Sequence, residues 1–247
     1  MEPLIHETMI STKNILDNQE ILANNLANAS TVGFKSALRS QIILSNNTDK
    51  EQYPHLLSKS YDQTQGPFIS TMQPLDIAIT NKSGWLVVQT NDKSIAYTRN
   101  GHLKINSDQQ LTSQEHIIMG QNGPIVIPSD SKTRILSNGI IEVIHNDEDF
   151  SQELDKLKLV EININNLTYG NNGLYFLKTA NQPDIKEIED NPNVKLLSGT
   201  LEDSNVNLSE NMINIMSDAR KFDMQMKILT DYDENIQLIN KFLNINN

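Results

Sequence analysis

The chain has 247 residues, 37% of them hydrophobic and 5% aromatic, with a formal net charge of -11. Such a charge opposes binding to nucleic acid and to anionic membrane surfaces, and no basic stripe offsets it. The absence of cysteine excludes disulfides, thiolate metal sites and cysteine nucleophiles together.

The first residues, Met1-Glu2-Pro3-Leu4-Ile5-His6-Glu7, have neither the basic nor the apolar region of a Sec signal peptide. No stretch approaches the roughly 18 apolar residues of a spanning helix, so no direct membrane insertion is expected. If the chain leaves the cytoplasm, another route must carry it, without a cleaved signal.

Residues 1–34 read as the first helix. Ile5, Met9, Leu16, Ala23 and Leu26 share one heptad-like stripe, interrupted by Thr12 and Gln19. Gly33, after Ser30-Thr31-Val32, permits a backbone conformation closed to other residues and is expected to end this helix sharply. Phe34 is placed to anchor the returning chain. Residues 35–65 follow as a linker or loop, because Ser45-Asn46-Asn47-Thr48-Asp49-Lys50-Glu51-Gln52 offers few large apolar side chains.

Residues 66–203 carry strand and turn signals. Ile77-Ala78-Ile79-Thr80 and Trp85-Leu86-Val87-Val88 flank Asn81-Lys82-Ser83-Gly84. Asn100-Gly101 and Asn138-Gly139 each separate two apolar runs, and Asn-Gly suits the positive φ of a two-residue hairpin turn. Gly170-Asn171-Asn172-Gly173 turns the chain again. Short strands joined by tight turns predict an antiparallel β domain. Trp85 alternates with Val87 and is expected in its core.

Residues 204–247 read as the second helix. Leu208, Met212, Ile215, Ala219, Phe222, Met226, Leu229, Ile236 and Leu243 fall on one alternating four-three spacing, with Asp233 and Asn240 at the remaining positions. That is a heptad seam, so the two terminal helices are expected to pack as a coiled coil. Pattern leaves open whether the seam closes within one chain or between subunits. Asn207 followed by Glu210 resembles a helix start. The predicted fold is therefore a mainly β central domain flanked by N- and C-terminal α-helices.

Chemistry-bearing clusters are not apparent. His6, His55, His102, His116 and His145 fall in no ligand spacing. Neither a phosphate-binding glycine loop nor a nucleophile elbow stands out. The expectation is a non-enzyme with no metal and no cofactor.

Two end segments carry a resemblance. Ile21-Leu22-Ala23-Asn24-Asn25-Leu26-Ala27-Asn28-Ala29-Ser30-Thr31-Val32-Gly33-Phe34-Lys35 resembles the N-terminal signature of the flagellar axial proteins, the rod and hook family. Gly199-Thr200-Leu201-Glu202-Asp203-Ser204-Asn205-Val206-Asn207 is similar to the stretch that leads into that family's C-terminal helix. Between them, Gln65-Gly66-Pro67, Pro74-Leu75-Asp76-Ile77-Ala78-Ile79, Tyr97-Thr98-Arg99-Asn100-Gly101 and Gly123-Pro124-Ile125 resemble the rod branch.

The resemblance implies a structural subunit of the bacterial flagellar basal body, delivered by the flagellar type III export apparatus. It would stack helically with itself and other rod proteins across the periplasm and transmit torque. Terminal helices would line an inner tube, with the β domain outside. The proximal rod is the implied position and the distal rod the alternative. Rivals of other classes are a secreted β-domain binding protein dimerised by its helices and a periplasmic hydrolase.

The implied assembly residues are Asn24, Asn25, Leu26, Ala27, Asn28, Thr31, Gly33, Phe34, Ser204, Asn205, Val206, Met212, Ile215, Ala219, Phe222, Met226 and Leu229. Asn24 and Asn28 lie four apart on one helix face, where their amides suit polar pairing between packed helices or simple solvation.

Overall fold

A computed structural model describes residues 2–42, 56–129, 131–145, 151–170, 172–178, 190–191 and 193–245. A β-rich centre stands between an N-terminal helix, α1 (Glu2–Ala27), and a C-terminal helix, α2 (Leu208–Ile245). Between the helices run β1 (Ala37–Ile42), β2 (Leu56–Tyr61), β3 (Phe68–Ser70), β4 (Ile77–Ile79), β5 (Gly84–Gln89) and β6 (Ile95–Thr98). Then come β7 (Leu103–Ile105), β8 (Leu111–Ser113), β9 (His116–Gly120), β10 (Gly123–Pro124), β11 (Ser131–Ile135) and β12 (Ile140–His145). The last six are β13 (Ser151–Lys156), β14 (Leu159–Glu161), β15 (Leu167–Tyr169), β16 (Tyr175–Leu177), β17 (Leu196–Ser198) and β18 (Thr200–Glu202).

The chain divides into two compact units. One, helical, comprises Met1–Asn28, Ala37–Lys59 and Val206–Asn247; the other, β-rich, comprises Ala29–Ser36 and Ser60–Asn205. The segment expected to be a loop thus contributes β1 and β2, which pair as a two-stranded sheet. The polar run Ser45–Gln52 lies outside the described residues.

In the β-rich unit the main sheet has the order β15-β16-β6-β5-β9-β8-β7, with β10 on β9 and β14 on β5. A three-stranded sheet, β11-β12-β13, and the pairs β17–β4 and β18–β3 complete it. All the described pairings in this unit are antiparallel. Strand β5 shows why its sequence has no polar face. Leu86 and Val88 join one buried cluster with Ile77, Ile118 and Ile141, while Trp85 and Val87 join a second with Tyr97, Val160 and Tyr175. Alternate side chains point to opposite faces, and both faces are covered. The Trp85 indole N–H finds the Ile162 carbonyl at 3.0 Å.

Turn chemistry departs from expectation at Asn100-Gly101. Strand β6 pairs with β5 and β16, and β7 with β8, so no hairpin joins β6 to β7. Gly101 is needed because a Cβ there would fall on the Ile77 carbonyl oxygen. At Asn138-Gly139 the hairpin exists between β11 and β12, but its loop is Ser137–Gly139: Gly139 N–H bonds to Leu136 O, and Gly139 takes φ +86°. A two-residue turn with both centres at positive φ occurs instead at Gln114 (φ 47°) and Glu115 (φ 69°), between β8 and β9.

In the helical unit α1 and α2 lie side by side and antiparallel, since Asn18 bonds to Asp218 while Thr12 and Ser11 bond to Gln225. At about 1.5 Å per residue α2 runs roughly 57 Å. Its first turn is capped by Asn207, whose Oδ1 accepts from the Glu210 N–H at 3.2 Å.

Candidate assembly interface

The expected apolar stripe of α1 is not the buried one. Met9, Leu16 and Ala23 are exposed, and Ile15, Ile21 and Leu22 are buried. The surroundings of Ile5 lie outside the described side chains. A four-three spacing fits more than one stripe on a helix. The stripe that is covered carries Ser11, Thr12, Asn18 and Asn25, whose polar groups find partners: Gln225 for the first two, Asp218, and Ala37.

The seam expected on α2 is split in the same way. Ile215, Phe222, Leu229 and Ile236 are half-buried, and between them the covered positions are Asn211, Asp218, Gln225 and Tyr232. Leu208, Met212, Ala219 and Met226, which the heptad reading placed in the same seam, are exposed. So are Ile213, Met216, Met224 and Ile228, so large apolar side chains face solvent on several sides of one helix. Charged residues such as Glu210, Arg220, Asp223 and Lys227 lie among them, so α2 is mixed in character, and in this chain alone these apolar side chains are not covered.

The N-terminal signature is divided between the units. Asn24 and Ala27 are exposed and Leu26 is half-buried. Asn28 Nδ2 donates to the Asn24 carbonyl at 2.9 Å, an end-of-helix bond. Asn25 is the buried member. Its Nδ2 donates to Ala37 O at 2.9 Å, and its Oδ1 accepts from Ala37 N–H at 2.8 Å.

Thr31, Gly33 and Phe34 belong to the β-rich unit, and α1 ends at Ala27, well before Gly33. Gly33 therefore does not stop the helix. It has φ +71°, and a Cβ there would meet the backbone of Arg99 at 2.5 Å and of Asn100 at 2.8 Å. Its N–H donates to Glu202 O at 2.7 Å. Phe34 is buried, edge-on to Tyr169 with ring centroids 5.5 Å apart.

The second signature meets the first here. Asn205 N–H bonds to Phe34 O at 3.4 Å, Ser36 N–H to Asn205 Oδ1 at 2.7 Å, and Asn205 Nδ2 to Thr64 O at 3.0 Å. Ser204 is buried beside them, and Val206, half-buried, begins the helical unit's last segment. Sequence reasoning missed Lys35, Arg99 and Glu202 as partners. Lys35 Nζ lies 2.7 Å from Glu202 Oε1, and Arg99 Nη2 lies 2.6 Å from Glu202 Oε2, all three buried. Burial pushes the Lys35 ammonium below its ordinary pKa, the neighbouring Arg99 adds to this, and Glu202 opposes it.

His102 Nδ1 is 2.7 Å from Asp76 Oδ1, but the nearby Thr71 hydroxyl donates to Asp76 Oδ2 at 2.6 Å and not to the imidazole. These three side chains therefore do not stand in the order hydroxyl–imidazole–carboxylate of a hydrolytic triad. Among the described residues no three His, Cys, Asp or Glu side chains are grouped to hold a metal ion, and no helix is long and apolar enough to cross a membrane.

Comparison with known proteins accounts for this arrangement. Three family profiles match: "Flagella basal body rod protein" over residues 16–35, "Flagellar hook protein FlgE/F/G D1 domain" over 78–143, and "Flagellar basal body rod FlgEFG protein C-terminal" over 197–242. The chain is 46% identical to the flagellar basal-body rod protein FlgF of Buchnera aphidicola subsp. Baizongia pistaciae, covering 100% of both chains. It is 34% identical to FlgF of Salmonella typhimurium, over 99% of this chain and 100% of that one. Against the basal-body rod protein FlgG of Buchnera aphidicola subsp. Acyrthosiphon pisum it is 29% identical, over 91% and 93% of the two chains. By these identities, spanning the whole length and both end signatures, the chain belongs to the FlgF family of flagellar basal-body rod proteins.

Proposed function

We propose that this chain is a structural subunit of the flagellar basal-body rod, built into the proximal rod by its terminal helices, and that it performs no catalysis. Delivery is by the flagellar type III export apparatus, and the neighbours are other rod proteins and further copies stacked helically. Family membership supports the place. The observation that carries the mode of assembly is the exposure of Leu208, Met212, Ile213, Met216, Met224, Met226 and Ile228 along α2.

Burying an apolar side chain of this size is worth about 1.5–3 kcal/mol. A monomer that leaves several in water has a large favourable term still to collect on association. An interface between unlike faces of successive subunits does not close on itself and propagates a helical stack. In that stack the exposed half of the α2 seam, Leu208, Met212, Ala219 and Met226, completes a coiled coil with helices of neighbouring subunits. Asn24 and Ala27, exposed at the end of α1, supply polar and close-approach contacts there.

The test is to isolate basal bodies from detergent-extracted cells and locate the protein with an antibody. Recovery in the rod fraction, crosslinked to other rod subunits, is expected. A protein that fractionates as a free dimer, with none in the basal body, contradicts the proposal and favours the secreted binding protein.

A further inference from the structure

Three buried charges of the β-rich unit meet in one ion-paired cluster that does not balance; the fourth, Asp76, lies against His102 instead. One carboxylate, Glu202, faces two cations, Lys35 and Arg99. The two cations are held differently. Arg99 has its own seat in the sheet: its guanidinium donates to the carbonyls of Ile79, Asn81, Lys82 and Gly84 and lies 5.7 Å from the centre of the Trp85 ring. The Lys35 ammonium bonds to Glu202 Oε1 at 2.7 Å and to the Thr64 carbonyl at 2.6 Å. Glu202 supplies the charge that lets an ammonium sit in a dry site near a guanidinium.

Glu202 also carries the backbone contact. Its carbonyl accepts from Gly33 N–H, and three residues later Asn205 binds Phe34 and Ser36. Lys35 and Glu202 are 167 positions apart in the chain. Until the later segment arrives, seating residues 29–36 would place Lys35 beside Arg99 with no carboxylate bonded to it and only the weaker influence of Asp62 in its favour, adding repulsion to desolvation.

We infer that Glu202 is the positioning residue for the N-terminal signature and gates its docking. Residues 29–36 seat on the β-rich unit only when the segment leading to α2 is already in place. Both chain segments that connect this unit to the terminal helices are thereby fixed together or not at all. This goes beyond the structural role proposed above and does not rest on it, since it concerns the isolated chain.

The experiment is hydrogen exchange on the full-length protein and three variants. In Glu202→Gln, which keeps the shape and removes the charge, amides of residues 29–36 are expected to exchange at least about tenfold faster, while β5, β6 and β9 stay protected. In Lys35→Met, with no ammonium left to neutralise, residues 29–36 are expected to stay protected. In the double variant Lys35→Met/Glu202→Gln, protection of 29–36 is expected to return. The inference is overturned if Glu202→Gln leaves 29–36 as protected as in the parent. It is also overturned if the core strands open in step with 29–36, or the protein fails to fold, because Glu202 then serves general stability and not docking. A double variant as open as Glu202→Gln, or loss of protection in Lys35→Met, overturns it equally.

Discussion

Asn25 holds Ala37 by both of its backbone groups, through bonds of 2.9 and 2.8 Å. A side-chain amide here copies what a neighbouring strand would do, and it fixes the start of β1 against the end of α1 within the helical unit. Asn25→Ala would leave a buried N–H and C=O of Ala37 without these partners. The expected cost is about 2–4 kcal/mol of stability in urea unfolding. Asn25→Asp is not expected to rescue it, because the donor is lost and a charge is buried. An unchanged midpoint in Asn25→Ala would remove this clamp from the account.

Gly33 has two reasons to be glycine, its φ of +71° and the approach of the Arg99 and Asn100 backbone. Relieving either by a local shift breaks the bond from Gly33 N–H to Glu202 O. Gly33→Ala is expected to lower stability by about 2 kcal/mol or more. Thermal unfolding followed by circular dichroism measures this, and a variant as stable as the parent would show that the contact can yield.

Met212 and Met226 are exposed, whereas Phe222 is half-buried on the same helix. Met212→Asp and Met226→Asp should therefore change monomer stability by no more than about 0.5 kcal/mol. They are nonetheless expected to block incorporation into basal bodies, read by immunoblot of the purified structures. Phe222→Asp should instead destabilise the helical unit itself. Normal incorporation of both Met variants would mean that this face of α2 is not an interface.

Stability should depend on pH at both ends of the scale. Burial works to raise the pKa of Asp190, but bonds from Lys156, the Leu159 N–H and Gln121 outweigh it and leave the carboxyl below its ordinary 3.8. A depressed carboxyl contributes stability above the unfolded value and loses it as pH falls through the folded one. Asp190→Asn is thus expected to flatten the fall in Tm below about pH 4. Tyr175 behaves oppositely: burial pushes its phenol well above 10.0. That contribution is complete below pH 10 and is lost as pH rises beyond it, so Tyr175→Phe should reduce alkaline sensitivity.

Local signals in the sequence were reliable where a local cause acts. The cap at Asn207, the uninterrupted length of α2 and the two-sided burial of β5 each follow from residues within a few positions of one another. The spacing on the helices was informative about period and misleading about face, because polar side chains that meet Asp218, Gln225 and Ala37 are also satisfied when buried. Turn chemistry failed at Gln114-Glu115, where neither residue advertises positive φ, and at Gly101, where the requirement comes from Ile77 on another strand. Glu202, Arg99 and Lys35 could not be connected from sequence. Their relation is electrostatic and long-range, and each alone reads as an ordinary surface charge.

Four methionines of α2, Met212, Met216, Met224 and Met226, report on the central claim, because each is exposed in the single chain and thioether oxidation follows solvent access. Hydroxyl-radical footprinting of the purified monomer and of intact basal bodies, read by mass spectrometry, measures that access directly. Ready oxidation of all four in the monomer and strong protection in the basal body is the predicted result. Equal oxidation in both would mean that α2 stays in water after assembly, and the account of its apolar faces would be wrong.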